Sequence, residues 1–375
     1  MATPEQTLAV ALQRAQDHLT QPLIPDDEVV TRIETISRNI RNRACTRFVL
    51  ACSLAKAHRP EIDIRKPYTE IKDQDHYSGR AYDERYITAF VMAYQLPCNN
   101  TTAFLTPAFR NRNQVLTPDT IMVGEPEALY RETLQLLTDM QSGRVSAKDV
   151  LAETIRWLFI IRDEQRVRID SLLAGLKALD GTPALSAERI ISLIEQHLKL
   201  RRSSRLPVLI VAAAYQSASH YLGENVLPLQ RHNAADEQTG SLGDLEIVLI
   251  DDSRVLTSYE MKTRRVTQND IDQALQKIQH MGKRIDNYIF ITTEPIDEPV
   301  KEYAASIYEK SNGIEVVILD CIGFLRHFLH LFHRIRGVFL GTYQQLVLDE
   351  PDSAISQPLK EAFLAMRRAA ESNAE

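Results

Sequence analysis

The sequence predicts an α/β protein: a mainly helical N-terminal domain, then a mixed sheet flanked by helices. Three observations carry that expectation. Apolar residues recur at helical spacing through about the first 200 residues. The periodicity changes after about Arg205, and from there short apolar runs alternate with amphipathic segments. The order beyond that point is helix, three strands, helix, strand, helix, strand, helix, which suits a compact sheet covered on both faces.

In the N-terminal part, Asp83 to Tyr94, Ala128 to Met140, Val150 to Leu179 and Ser186 to Leu200 have helical spacing. Ser146 and Ser186 each stand where a helix cap is expected, with a charged residue three positions on. Polar stretches from Asp63 to Arg80 and from Pro97 to Asn113 read as loops. Leu206 to Leu222 is an apolar helix, with Pro207 tolerated near its start. Strands are expected at Asn225 to Leu229, Asp244 to Ile250 and Val255 to Lys262. A helix presenting Ile271, Ala274, Leu275, Ile278 and Met281 on one face follows. Strand Asn287 to Thr292, helix Val300 to Glu309, strand Ile314 to Leu319 and helical material from Phe324 complete the series. The expected domains are residues 1–205, mainly helical, residues 206–345, the sheet with its helices, and residues 346–375, a linker and helix.

The 375 residues carry 44 Lys and Arg against 50 Asp and Glu, a net charge of −6, within an ordinary globular composition. The longest strongly apolar run, Leu206 to Tyr215, is about half of the roughly 20 residues a membrane span needs. The N-terminus has no basic flank before an apolar stretch, so no membrane span or export signal is expected and a cytoplasmic address follows. Cys45, Cys52, Cys98 and Cys321 are scattered without CxxC or His neighbours, which supports neither disulfides nor zinc. His327, His330 and His333 sit at spacing three beside Phe324, Phe328 and Phe332 and read as an amphipathic packing helix, not a metal site. Charge is uneven: Arg32 to Asn113 holds 14 Lys and Arg against 8 Asp and Glu. Such an excess is either a footprint for a phosphate backbone or a solvated face.

The chemistry concentrates in two neighbouring strands. Asp244 stands at the entrance of a strand whose continuation, Leu-Glu-Ile-Val-Leu-Ile250, is apolar on both faces, as an interior strand requires. The next strand ends Ser258-Tyr-Glu260-Met-Lys262, where alternation puts Glu260 and Lys262 on one face and Tyr259 and Met261 on the other. Mg²⁺ takes one or two carboxylates and leaves its other positions to water and phosphate oxygens. Asp244, Glu260 and the Met261 carbonyl are the candidate ligands. Lys262 would orient or help deprotonate a water and offset charge on the pentavalent phosphorus. Glu246 shares the face of Asp244 and suits an accessory ligand, a partner for Lys262 or plain cross-strand pairing. Asp63 with Glu70-Ile-Lys72 is a second bare D…ExK match, but lies beside Pro60 and Pro67 with no apolar strand around it. The three catalytic candidates also fit a cross-strand surface salt bridge.

This arrangement resembles the PD-(D/E)xK nuclease superfamily: Gly243-Asp244, a spacer of 15 residues holding one β-turn, then Glu260-Met-Lys262. His232-Asn-Ala-Ala-Asp236-Glu-Gln238-Thr-Gly-Ser-Leu-Gly-Asp244-Leu-Glu246-Ile, with Tyr259-Glu-Met-Lys-Thr-Arg-Arg265-Val-Thr, resembles the core of Type II restriction endonucleases. Asp63-Ile-Arg-Lys-Pro-Tyr-Thr-Glu-Ile, Ser78-Gly-Arg-Ala-Tyr-Asp-Glu84 and Thr101-Thr-Ala-Phe-Leu-Thr-Pro-Ala-Phe-Arg-Asn-Arg112 resemble the SacI-like restriction endonuclease family. Together the motifs extend from about residue 40 to 345. The resemblance implies cleavage of both strands of double-stranded DNA at a short sequence, with Mg²⁺, by a homodimer whose two-fold axis matches a palindrome.

Candidate DNA contacts follow. Arg264 and Arg265 leave the catalytic strand and suit phosphate or guanine contacts, as they suit ordinary loop charges. Arg110, Asn111, Arg112 and Asn113 pair the residue types that read guanine and adenine, and equally make a polar loop. Arg65, Lys66 and Arg80 flank Tyr68, Tyr77 and Ser78 and are candidates for phosphate contacts. Asn233 and Gln238 join them from the stretch before Asp244. Gln273, Gln276 and Lys277 lie off the apolar face of the helix following the catalytic strand, which in the superfamily often faces the active site, and they equally suit a solvated face. Two other functions remain open on the sequence: a repair or defence nuclease selecting structure or base modification, and a non-catalytic DNA-binding protein on the same fold.

Overall fold

The computed structural model describes residues 2–99, 101–110, 114–177, 184–229, 241–252, 254–282, 284–311 and 313–372. By compactness the chain divides into Met1–Val167 and Arg168–Glu375. The sequence expectation drew the first boundary near residue 205, whereas the compact units part within a helix.

The first unit contains helices α1 (Pro4–Asp17), α2 (Asp27–Arg38), α3 (Ala44–His58), α4 (Gly79–Tyr82), α5 (Thr88–Ala93), α6 (Glu127–Ser142) and the start of α7 (Ala147–Lys177). Helix α3 is buried from Ala44 through Ala55, which is why its sequence shows no polar stripe. Its Arg47 is fully buried, with Nε 2.6 Å from Asp83 Oδ1 and Nη2 donating to Thr88 Oγ1 at 2.6 Å. Asp83 also accepts from the Thr102 hydroxyl and the Ala103 N–H, so a buried charge meets a full set of partners. The expected helix from Asp83 to Tyr94 opens instead with a π-turn, Asp83–Ile87, before α5. The stretch expected as a loop from Asp63 to Arg80 is one as far as Ser78, with a 3-10 turn, Thr69–Ile71, before α4 begins at Gly79, but it is anchored: Ile64, Tyr68 and Tyr77 are buried in the core.

The second unit contains α8 (Ala187–Leu198), α9 (Leu206–Leu222), β1 (Glu224–Val226), β2 (Leu245–Leu249), β3 (Val255–Lys262), α10 (Gln268–Met281), β4 (Asn287–Thr292), α11 (Glu298–Lys310), β5 (Glu315–Asp320), α12 (Cys321–Leu331), α13 (Arg336–Asp349) and α14 (Gln357–Ser372). The five strands lie in the order β1-β2-β3-β4-β5. β1, β2 and β3 are antiparallel neighbours, and β3, β4 and β5 are parallel. The parallel pairs need crossovers, which α10 and α11 supply.

Helices cover both faces of the sheet. On one, Leu245, Ile247, Tyr259 and Ile291 join a core with α8, α9, α12, α13 and α14. On the other, Tyr288, Phe290, Val316 and Ile318 pack with Ile271, Ala274 and Ile278 of α10 and Ala304 and Ile307 of α11. Ile190, Ile191, Leu193 and Ile194 of α8 belong to the first of these cores, which explains why the unit begins well before residue 205. β2 has a strand on either side, as its two apolar faces required. At its C-terminal half the register with β3 shifts between Ile247 and Val248.

Candidate active site

Antiparallel register sets the site. Leu245 faces Tyr259 and Glu246 faces Ser258, so Asp244, one residue earlier, arrives opposite Glu260. The Asp244 N–H donates to the Tyr259 carbonyl at 2.8 Å, and its Oδ2 accepts the Met261 N–H at 2.7 Å. Gly243 makes this approach feasible. A Cβ there would lie 2.4 Å from the Tyr259 carbonyl oxygen and 2.6 Å from Ser258 Oγ, and a backbone oxygen cannot swing aside.

Glu260 and Lys262 share a face, as alternation dictates, and Lys262 Nζ donates to Glu260 Oε1 at 2.9 Å. The Tyr288 hydroxyl lies 3.3 Å from Glu260 Oε2 and donates to the Leu242 carbonyl at 3.1 Å, tying the carboxylate to the segment before Asp244. Burial raises the Glu260 pKa above the ordinary carboxylate value and the nearby Asp244 charge adds to it, with Lys262 and Lys277 pulling the other way. Glu246 accepts the Leu242 N–H at 2.8 Å and is buried; its visible work is to hold the Ser241–Asp244 approach.

Asp270 closes the site from α10. It reciprocates a capping box with Thr267, takes two bonds from Arg264 at 2.9 and 2.5 Å, and lies 3.7 Å from Lys262 Nζ. Burial opposes its charge, but the bonds from Arg264 and Thr267 prevail and hold its carboxyl far below the usual range. Asp270 and Tyr288 were not singled out in the sequence. The signal for Asp270 was Thr267-x-x-Asp270, a helix-start pattern; nothing local marks Tyr288, which reaches Glu260 only through the β3–β4 pairing. Of the two readings of Lys277, the one that turns it toward the site is favoured: it is close enough to Glu260 to influence its charge.

The donor set suits a hard divalent cation. Two carboxylates of like charge meet at the ends of adjacent strands, and Glu260 is penalised for ionising beside Asp244, a penalty that a cation would relieve. The Met261 N–H points toward Asp244, and the carbonyl of a strand residue lies on the same edge as its N–H, so it faces the same space. Among the described residues no group of three or more His, Cys, Asp or Glu side chains gathers, so any ion here draws on two carboxylates, backbone oxygen, water and substrate.

The remaining candidates are mostly engaged. Arg65 forms two bonds to Asp63 at 2.9 and 2.7 Å, Lys66 is 2.8 Å from Asp73 and 2.9 Å from Asp75, and Arg80 is 2.7 Å from Glu84. Arg264 is held by Asp270, and Arg265 is 2.7 Å from Asp297. Arg110 is exposed; Asn111, Arg112, Asn113, Asn233 and Gln238 lie outside the described residues. The second D…ExK match has no strand: Asp63 binds Arg65, Glu70 is in a 3-10 turn, and Lys72 follows at φ 60°. His327, His330 and His333 are exposed, with His330 near Glu188, itself paired with Arg326.

Residues 183–293 match the family model of the SacI restriction endonuclease C-terminal domain. That interval carries β1 to β4 and, with them, Asp244, Glu260 and Lys262. The second unit thus contains a restriction endonuclease domain. Over those residues the chain is similar to the SacI-like restriction endonuclease family. No curated protein matches the chain.

Two outcomes test the geometry. Gly243→Ala should lower the unfolding free energy by about 1–3 kcal/mol, as overpacking does, and displace Asp244; a variant with the parent's melting temperature and activity would contradict the close approach. Glu260, with its pKa raised, favours the folded state when protonated, and that contribution is lost as pH rises through the folded pKa. In EDTA, Glu260→Gln should therefore gain in melting temperature relative to the parent between pH 4 and pH 7. A difference independent of pH would refute the assigned penalty.

Proposed function

We propose that the protein is a Mg²⁺-dependent, sequence-specific double-strand DNA endonuclease of the Type II restriction class, on a PD-(D/E)xK fold. One observation carries this reading: within the restriction endonuclease domain, Asp244 and Glu260 come together at the ends of paired strands with Lys262 bonded to Glu260. The mixed sheet, with its two antiparallel and two parallel pairings and helices on both faces, supports the fold assignment.

Asp244, Glu260 and the Met261 carbonyl would hold the cation. When bound, it would polarise the scissile phosphate and offset charge built up at phosphorus. Lys262 stands between Glu260 and Asp270, so its ammonium is aimed rather than free to wander; it would donate to a phosphate oxygen or to the attacking water. Tyr288 keeps Glu260 turned toward Asp244, and Asp270 keeps the start of α10 close to the catalytic strand. The helical unit would grip the duplex, with Arg110 and its neighbours as candidates for base contacts. Arg65, Lys66 and Arg80 would reach phosphates only by exchanging carboxylate partners. A homodimer would present two such sites to the two strands of a palindrome.

Digestion of a sequenced plasmid, followed by mapping of the ends, tests the reading. Discrete fragments ending at one short sequence are expected with Mg²⁺ and none with EDTA. Asp244→Ala, Glu260→Ala and Lys262→Ala should each slow cleavage by about a hundredfold or more while DNA binding persists. A smear of ends would favour a structure-directed nuclease, and unimpaired cleavage by the three variants would move the site elsewhere.

A further inference from the structure

Helix α10 returns the chain from the carboxyl end of β3 to the start of β4, because the two strands are parallel neighbours. It therefore runs antiparallel to β3 and covers one face of the sheet. That face is the catalytic one. Ile271, Ala274 and Ile278 share a core with Tyr288 and Phe290, and the register sets Tyr288 beside Ser258 and Phe290 beside Glu260. Glu260 thus points to the side that α10 covers.

Asp270 anchors the helix to the strand, 3.7 Å from Lys262 Nζ. From that anchor, helical geometry places a second charged residue. At about 100° per residue, Lys277 falls within about 20° of Asp270, on the same stripe and about 10 Å further along the axis. Glu260 lies two residues before Lys262, about 7 Å back in the same direction. Helical side chains lean toward the helix N-terminus, so the long Lys277 chain leans back from its own level toward Glu260. It is half-buried, whereas Gln273 and Gln276 are exposed. Burial and the Asp244 charge raise the Glu260 pKa, and Lys277 is near enough to pull it the other way. Lys262 reaches the same carboxylate from the strand at 2.9 Å. Glu260 is therefore flanked by two ammonium groups, one delivered by β3 and one by α10.

We propose that Lys277 is a further catalytic residue of the nuclease unit, its ammonium binding a non-bridging oxygen of the scissile phosphate from the helix side. The inference rests on the DNA-cleaving reading above and adds a residue to that site. Arg264 is committed to Asp270, and Lys262 is shared between Glu260 and Asp270. Charge grows on the non-bridging oxygens as phosphorus becomes pentavalent, and an ammonium fixed beside them stabilises that state more than the ground state. With Lys277 on the phosphate, Lys262 is left to the attacking water.

The test compares Lys277→Gln, Lys277→Arg and Lys277→Cys in the full chain. Cleavage of the mapped site with Mg²⁺, at saturating enzyme, should slow by about a hundredfold in the Gln and Cys variants and recover in the Arg variant. Alkylating the Cys variant with bromoethylamine rebuilds a lysine-like ammonium and should restore cleavage, whereas iodoacetamide should not. Cys45, Cys52, Cys98 and Cys321 are all buried and so shielded from both reagents. DNA affinity with Ca²⁺ in place of Mg²⁺ gives a second readout: in Lys277→Gln the slope of log affinity against log salt should shrink by about 0.9, one phosphate contact. A parent cleavage rate in Lys277→Gln overturns the catalytic role, and a parent slope overturns the phosphate contact. A loss that neither Arg nor aminoethylation repairs also overturns the proposal, since it marks a structural role. Plasmid cleavage by the parent with Mg²⁺ tests the nuclease reading separately: no cleavage sinks that reading, while the slope still decides whether Lys277 holds a phosphate.

Discussion

The site depends on one close contact between backbones. Gly243 lies against the Tyr259 carbonyl at a distance no side chain tolerates, and this lets the Asp244 N–H pair with that carbonyl while the Asp244 carboxylate reaches the Met261 N–H. Everything else in the constellation is register. Once Leu245 faces Tyr259, Asp244 meets Glu260, and alternation alone brings Lys262 to the same face. Pairing β3 with β4 then sets Tyr288 against Glu260.

Electrostatics divides the carboxylates into two kinds. Glu260 is made reluctant to ionise by burial and by Asp244, a state suited to a group that exchanges its partner during a reaction cycle. Asp270 is the opposite: its bonds from Arg264 and Thr267 overcome the cost of burial and keep it charged, so it serves as a fixed counter-ion at the foot of α10. Lys262 lies between the two.

Much of the second unit was legible because its strands are defined by their own composition. Val255–Lys262 and Asn287–Thr292 fall on the predicted bounds; β-branched and aromatic residues run through the second from Tyr288 to Thr292, and Val255, Thr257 and Tyr259 alternate through the first. β1 was placed too late: three residues long, it begins at Glu224 and is positioned by the β2 edge, not by an apolar pattern of its own. The unit boundary was missed because α8 has the same amphipathic signature whichever core it joins, and only packing shows that Ile190 and Ile194 side with α9. The juxtaposition of Asp244, Glu260 and Lys262 could be read from spacing. Tyr288 could not, because it depends on a parallel pairing across a helical crossover. Arg65, Lys66 and Arg80 looked like free cations because the carboxylates that hold them, Asp63, Asp73, Asp75 and Glu84, count in a sequence only as nearby charges, not as bonded partners.

The central claim is that the β2–β3 edge holds a divalent cation between Asp244 and Glu260. Calorimetric titration of the metal-free protein with Mn²⁺, at a pH above the raised Glu260 pKa, addresses it without DNA and without turnover. The account predicts saturable binding by the parent that is lost in Asp244→Asn and weakened in Glu260→Gln, with both variants still folded. Binding of Mn²⁺ by both variants with the parent's affinity would contradict it.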